Sequence, residues 1–125
     1  MTEKILVVDD EIRIVDLLKK ILIREGYEVF TATNGKAAIE LLSTIAPNLI
    51  ILDVMMPGMD GGDVVAEILK DEKTKTIPII YFTGAISEEE AANQNKQMPL
   101  CYYISKTSSI KEQVKIIKEV LAANS

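Results

Sequence analysis

Short apolar runs alternate with amphipathic stretches along almost the whole chain, and this alternation limits the possible folds more than any other feature. KILVV (4–8), LIIL (49–52) and IPIIYF (77–82) are near-continuous apolar runs of strand length. YEVFTA (27–32) and CYYIS (101–105) have strand length but mixed character. Between these runs the apolar residues recur at helical spacing. Over 11–25 they are Ile14, Leu18 and Ile21, with Val15 and Leu22 beside them; over 63–71 they are Val64, Val65, Ile68 and Leu69; over 109–123 they are Ile110, Val114, Ile117 and Leu121. Two further helices are predicted, over 35–46 and from Ser87 to about Asn95. The punctuation agrees. Gly26 falls where a helix end favours a left-handed residue, Asn34 can cap the second helix, and Pro47 stops it.

The resulting order, βαβαβαβαβα, predicts an α/β protein whose parallel sheet is covered by helices on both faces. Strands buried on both faces must be apolar throughout, as the first, third and fourth are. The mixed second and fifth strands, with Glu28, Thr31, Tyr102 and Ser105, suit sheet edges. Edges at those two positions select the doubly wound five-stranded order 2-1-3-4-5, the flavodoxin-like arrangement. The whole chain, 1–125, is expected to be a single domain with no output domain attached.

Composition narrows the function. The net charge is −5 and the pI about 4.8, so direct nucleic-acid binding, which needs clustered Lys and Arg, is not expected. No apolar run approaches the ~18 residues of a membrane span, and no signal peptide is expected. One cysteine, Cys101, cannot form an internal disulfide, which fits a cytoplasmic protein. The chain has no histidine, which removes triad and His-based metal schemes.

In a doubly wound sheet, ligands bind beyond the carboxyl ends of the strands, where the winding reverses. Here that point lies between strands one and three. Strand one runs into Asp9, Asp10 and Glu11; strand three runs into Asp53. Converging carboxylates repel by roughly 4 kcal/mol per pair at an effective dielectric of 20, so a compensating cation is expected. Oxygen-only ligands favour magnesium, manganese or calcium over zinc. Strands four and five bring Thr83, Gly84, Ala85 and Lys106 to the same rim. A hydroxyl, a small residue, an ammonium and a carboxylate-bound metal suit a phosphoryl group, with Asp53 as the central nucleophile. Taken singly, each piece has an ordinary explanation as a helix cap, a turn residue or a solvated lysine. Their coincidence at carboxyl strand ends carries the reading.

VVDDE (7–11), LDVMMPGMDG (52–61), YFTGA (81–85) and YISK (103–106) together resemble the receiver domain of two-component response regulators over essentially the whole chain. The resemblance implies that Asp53 is the phosphoacceptor. It implies that Asp9 and Asp10 hold Mg2+ (or Mn2+) with Asp53 and the backbone carbonyl of Met55, and that Thr83 and Lys106 bind phosphoryl oxygens. Tyr103 would be the switch aromatic, moving inward as Thr83 is drawn to the phosphoryl group. Met55 and Ala85 would flank the path of hydrolytic water. Implied partners are a histidine kinase or phosphotransfer protein and a downstream protein target, the receiver being a monomer or a weak phosphorylation-linked dimer. The chain departs from the family pattern at Thr107, where proline usually follows the lysine; at MPLC (98–101), where Gly-Ala is usual; and in a slightly longer interval from Thr83 to Lys106. A strained or reshaped loop is expected at Thr107.

Two other readings share the fold. One is a phosphorylation-independent interaction module. The other is an aspartate-nucleophile phosphatase, which would place a general acid two residues after the nucleophile, where this chain has Met55. Met98, Tyr102 and Ile116 are candidate contact residues for a partner or second copy, against the commoner reading of scattered surface apolar groups.

Overall fold

The structure, a computed structural model, describes residues 2–53, 61–84 and 101–124. The strands are β1 (Lys4–Val8), β2 (Glu28–Ala32), β3 (Leu49–Asp53), β4 (Ile79–Thr83) and β5 (Cys101–Ser105). The helices among the described residues are α1 (Ile12–Arg24), α2 (Gly35–Leu42), α3 (Gly61–Lys70) and α4 (Ile110–Ala123). The helix predicted after Ser87 and the candidate contact residue Met98 lie outside the described residues.

All strand pairs are parallel and the order is β2-β1-β3-β4-β5, as the mixed character of the second and fifth strands predicts. Side chains alternate across a strand, so each strand feeds two cores. On one face Ile5, Val7, Leu49, Ile51, Ile80, Phe82 and Ile104 pack against Leu18 and Leu22 of α1 and Ile117, Val120 and Leu121 of α4. On the other, Leu6, Val8, Ile50, Leu52 and Ile79 pack against Ala38 of α2 and Val64 and Ile68 of α3. Each such aliphatic side chain contributes about 1.5–3 kcal/mol on burial.

The predicted punctuation holds at Gly26 and Asn34 but not at Pro47, since α2 has ended five residues before it. Gly26 adopts φ 98° after α1, and the Asn34 side chain accepts from the Ala37 N–H at 2.8 Å. Four expectations are corrected. Helix α2 ends at Leu42, four residues short of 46, because the Ser43 and Thr44 hydroxyls bond back to the carbonyls of Glu40 and Leu41 and tighten the last turn. Strand β4 begins at Ile79, not at 77: Ile77 spends its N–H on the Thr74 carbonyl and Pro78 has none to give. Leu69 and Ile110, read as core, are exposed at 57% and 48%. In α4 the buried stripe is instead Gln113, Ile117, Val120 and Leu121, rotated away from the first turn that Ser109 caps. Tyr102 and Ile116, offered as contact residues, pack against the first core.

Candidate functional site

The apolar columns of the first face end in charge. Asp9 follows the column Ile5–Val7, Asp53 follows Leu49–Ile51, and Lys106 follows Ile104. The same period-two alternation that fills the core therefore sends these three side chains to one side of the rim. The backbone supports them. The Asp9 N–H donates to the Ala32 carbonyl at 3.2 Å, and the Lys106 N–H donates to the Thr83 carbonyl at 2.8 Å, each continuing a ladder by one residue.

Asp9 and Asp53 are buried and Asp10 is exposed, yet one carboxylate oxygen from each lies within 4.8 Å of the other two. Asp9 Oδ1 accepts from the Glu11 N–H at 2.9 Å, fixing the turn into α1. This is a turn bond and not a helix cap, since the N-cap of α1 is Glu11 and no side chain caps that helix. Asp9 Oδ2 is enclosed without a directional hydrogen bond and faces the Lys106 ammonium at 3.0 Å. The same ammonium lies 3.7 Å from Asp53 Oδ2, 3.9 Å from Glu11 Oε1 and 5.7 Å from the centre of the Phe82 ring.

Partial burial alone would push the Lys106 ammonium down. Its close contact with Asp9, and the charges of Asp9, Asp53 and Glu11, outweigh that and raise its pKa above the ordinary lysine value. Lys106 thus stays cationic at neutral pH and faces three carboxylates, those of Asp9, Glu11 and Asp53. Asp9, Asp10 and Asp53 form an oxygen-only donor set with an enclosed, under-used lone pair at Asp9 Oδ2, and this set could hold a hard divalent cation.

Thr83 and Tyr103 fall on the opposite face of the sheet by strand alternation. Thr83 is buried, and its Cα partner in β5 is Ser105. Tyr103 is half-buried opposite Tyr81, the ring centres 5.1 Å apart and tilted by 32°. A Cβ placed on Gly84 meets no atom within 4 Å among the described residues. Met55 and Ala85 lie outside the described residues. A cavity of about 390 Å³ bordered by Asp10, Glu11, Ile12 and Arg13 opens at the cluster's outer edge. A larger one, about 530 Å³, sits by the ends of α2 and α3 near Leu42 and Thr74. Size does not mark the site; converging charge does.

Two groups at the site had been given no role on sequence grounds. Glu11 joins the lysine's shell, and only its adjacency to the Asp pair could have signalled this. Phe82 lies under the ammonium, a placement that follows from the register Asp53↔Phe82. At Thr107 the chain forms a hydroxyl-bonded turn: the Thr107 N–H donates to Ser105 Oγ at 3.2 Å, and no cis peptide bond occurs among the described residues.

An acidic trio at the winding reversal of a 2-1-3-4-5 sheet, faced by a lysine from the last strand, defines a receiver-type α/β domain. The response regulator receiver domain family matches residues 5–118, and the chain belongs to that family. It is 35% identical to the sporulation initiation phosphotransferase F of Bacillus subtilis (strain 168), across all of this chain and 98% of that one. Among solved structures, chemotaxis protein CheY4 of Vibrio cholerae is 29% identical with a TM-score of 0.82, covering 96% of this chain and 99% of its own. The N-terminal domain of a response regulator receiver protein from Methanoculleus marisnigri JR1 is 36% identical with a TM-score of 0.70, covering 95% and 96%.

Proposed function

We propose that this chain is a phosphorylation-dependent signalling switch that accepts a phosphoryl group on Asp53. The donor is a phosphohistidine on a partner kinase or phosphotransfer protein. The observation that carries this is the buried Asp53 carboxylate, which has an oxygen within 4.8 Å of oxygens of Asp9 and Asp10 and its Oδ2 3.7 Å from the Lys106 ammonium.

An Asp53 oxygen attacks phosphorus, the phosphorus–nitrogen bond of the donor breaks, and the released imidazole takes a proton from solvent. Lys106 loses one anionic partner as Asp53 becomes an acyl phosphate and gains the phosphoryl oxygens in exchange. Asp9, Asp10 and Asp53 would hold Mg2+ or Mn2+, with the Met55 carbonyl as a further donor. The ion, when bound, supplies neutralisation of the charge that builds on the transferring group. Thr83 would donate its hydroxyl to a phosphoryl oxygen. Tyr103 would change position as Thr83 is drawn to the phosphoryl group and so alter a surface for a downstream protein partner. The whole chain would act as one domain through separate proteins, without direct contact to nucleic acid or membrane. No helix among the described residues is long and apolar enough to cross a membrane.

Support for transfer over hydrolytic turnover comes from Met55, which stands where a phosphatase needs a proton donor, and from a relative named a phosphotransferase. The test is incubation with acetyl phosphate and MgCl2, followed by intact-mass measurement. Wild type gains about 80 Da, the mass of one phosphoryl group, and Asp53→Asn gains none. Equal labelling of the variant, or an unlabelled wild type, would overturn the assignment.

A further inference from the structure

Lys106 reaches the acidic cluster from the corner of a turn, and that turn is held by side chains. The Ser108 N–H donates to the Ser105 carbonyl at 3.0 Å, which closes a β-turn with Lys106 and Thr107 at its two central positions. Inside it the Thr107 N–H donates to Ser105 Oγ at 3.2 Å, and the Ser105 and Thr107 hydroxyls share a hydrogen bond at 2.7 Å. Ser105 is fully buried and Thr107 is exposed. The lysine backbone is thus clamped from both sides, by β4 through its own N–H and by this hydroxyl pair through its neighbours. A rigid corner matters because the side chain is long. Without restraint a lysine spreads over many rotamers, and holding one geometry costs side-chain entropy.

We infer that Ser105 and Thr107 form a hydroxyl brace that positions the Lys106 ammonium over the acidic cluster. Neither is a catalytic residue, since neither is placed on the reacting atoms. Their action runs through the turn. Thr107 Oγ1 orients the Ser105 hydroxyl, the Ser105 oxygen holds the Thr107 N–H, and the corner then directs the lysine stem across Phe82 toward Asp9 and Asp53. For the transfer reaction the inference rests on the reading of Asp53 given above, but the placement of the ammonium can be measured without it.

Thr107→Val is the informative variant. It keeps the backbone N–H and the side-chain shape, removes Oγ1, and changes an exposed position, so the fold is retained. Thr107→Ser restores the hydroxyl. The first measurement is a carbon–proton correlation spectrum of lysine-labelled, metal-free protein, with the Lys106 signal assigned by its loss in Lys106→Met. In wild type and Thr107→Ser the two ε-methylene protons of Lys106 are inequivalent, as expected for a fixed ammonium. In Thr107→Val they merge toward one averaged shift. The second is the rate of labelling by acetyl phosphate at saturating MgCl2. It falls on the order of tenfold in Thr107→Val, in line with the sensitivity of transfer rates to small misplacements, and returns in Thr107→Ser with the melting temperature unchanged. A Lys106 signal that is the same in Thr107→Val and wild type overturns the brace, whatever the labelling shows. Failure of wild type to label overturns the function of Asp53 while the spectrum still decides the brace.

Discussion

The interior of the sheet and its carboxyl rim are built from the same columns of side chains, yet they obey opposite rules. Ile5–Val7 and Leu49–Ile51 lie at about 1% exposure or less, each stabilised by removal from water. One step further along, Asp9 and Asp53 are almost equally enclosed, at 1% and 4%, but carry charges that burial penalises and that repel each other. The interior is therefore a region of maximal stability, and the rim a region where stability is given up to keep a binding charge in place. Removing an interior side chain should therefore cost stability, whereas removing a rim carboxylate in the absence of a cation should add to it.

The largest effect belongs to the interior. Ile51→Ala removes a fully buried side chain between α1, α4 and the strands on either side. It is expected to lower the unfolding free energy by about 2–5 kcal/mol in urea titrations. A loss below 1 kcal/mol would mean that the interior is as tolerant as the rim, and the contrast would dissolve.

Lys106→Met comes next, because it removes the Lys106 ammonium from the rim while keeping an apolar stem over Phe82. With chelator present, the expected loss at pH 7 is about 1–3 kcal/mol, the cost of leaving Asp9 and Asp53 without their cationic partner. The pH dependence gives the sign independently. The folded-state pKa of Lys106 is raised, so its contribution is whole below the unfolded value of 10.5 and is lost as pH rises from there through the folded value. Urea midpoints between pH 9 and 11.5 should fall more steeply in wild type than in Lys106→Met. Parallel profiles would show that the ion pair does not hold the rim together.

Much of this architecture was legible in the sequence because it rests on local patterns. Continuous apolar runs separate β1, β3 and β4 from the mixed edges β2 and β5, and that alone selects the strand order. The acidic trio and Lys106 were legible too, since each falls at or just past the carboxyl end of a strand, where a doubly wound sheet binds its ligands. What escaped depends on contacts distant in sequence or on competing short-range bonds. Ile110 and Leu69 fit a helical stripe but sit at its edge, and only the helix rotation set by packing of Ile117, Leu121, Val64 and Ile68 decides that they face water. The early end of α2 turns on two hydroxyls, Ser43 and Thr44, choosing backbone carbonyls over solvent. The aromatic support under Lys106 needs the register of β3 against β4, which no single stretch encodes.

The smallest effect is also the sharpest, because the two regions differ in sign rather than size. Asp10 is the exposed member of the trio, so its repulsion with Asp9 and Asp53 is partly screened. Asp10→Asn keeps the shape and removes one negative charge. With chelator present it should stabilise the fold by roughly 0.5–1 kcal/mol, read as a higher melting temperature. Addition of MgCl2 should then reverse the ranking. A cation that binds only the folded state raises wild-type stability by about 2.7 kcal/mol at a hundredfold excess over its dissociation constant, whereas a site with one carboxylate fewer gains less. A variant that is destabilised in chelator would show that Asp10 serves the fold as an ordinary helix-start residue. A variant that still responds fully to magnesium would show that Asp9 and Asp53 bind the ion without it.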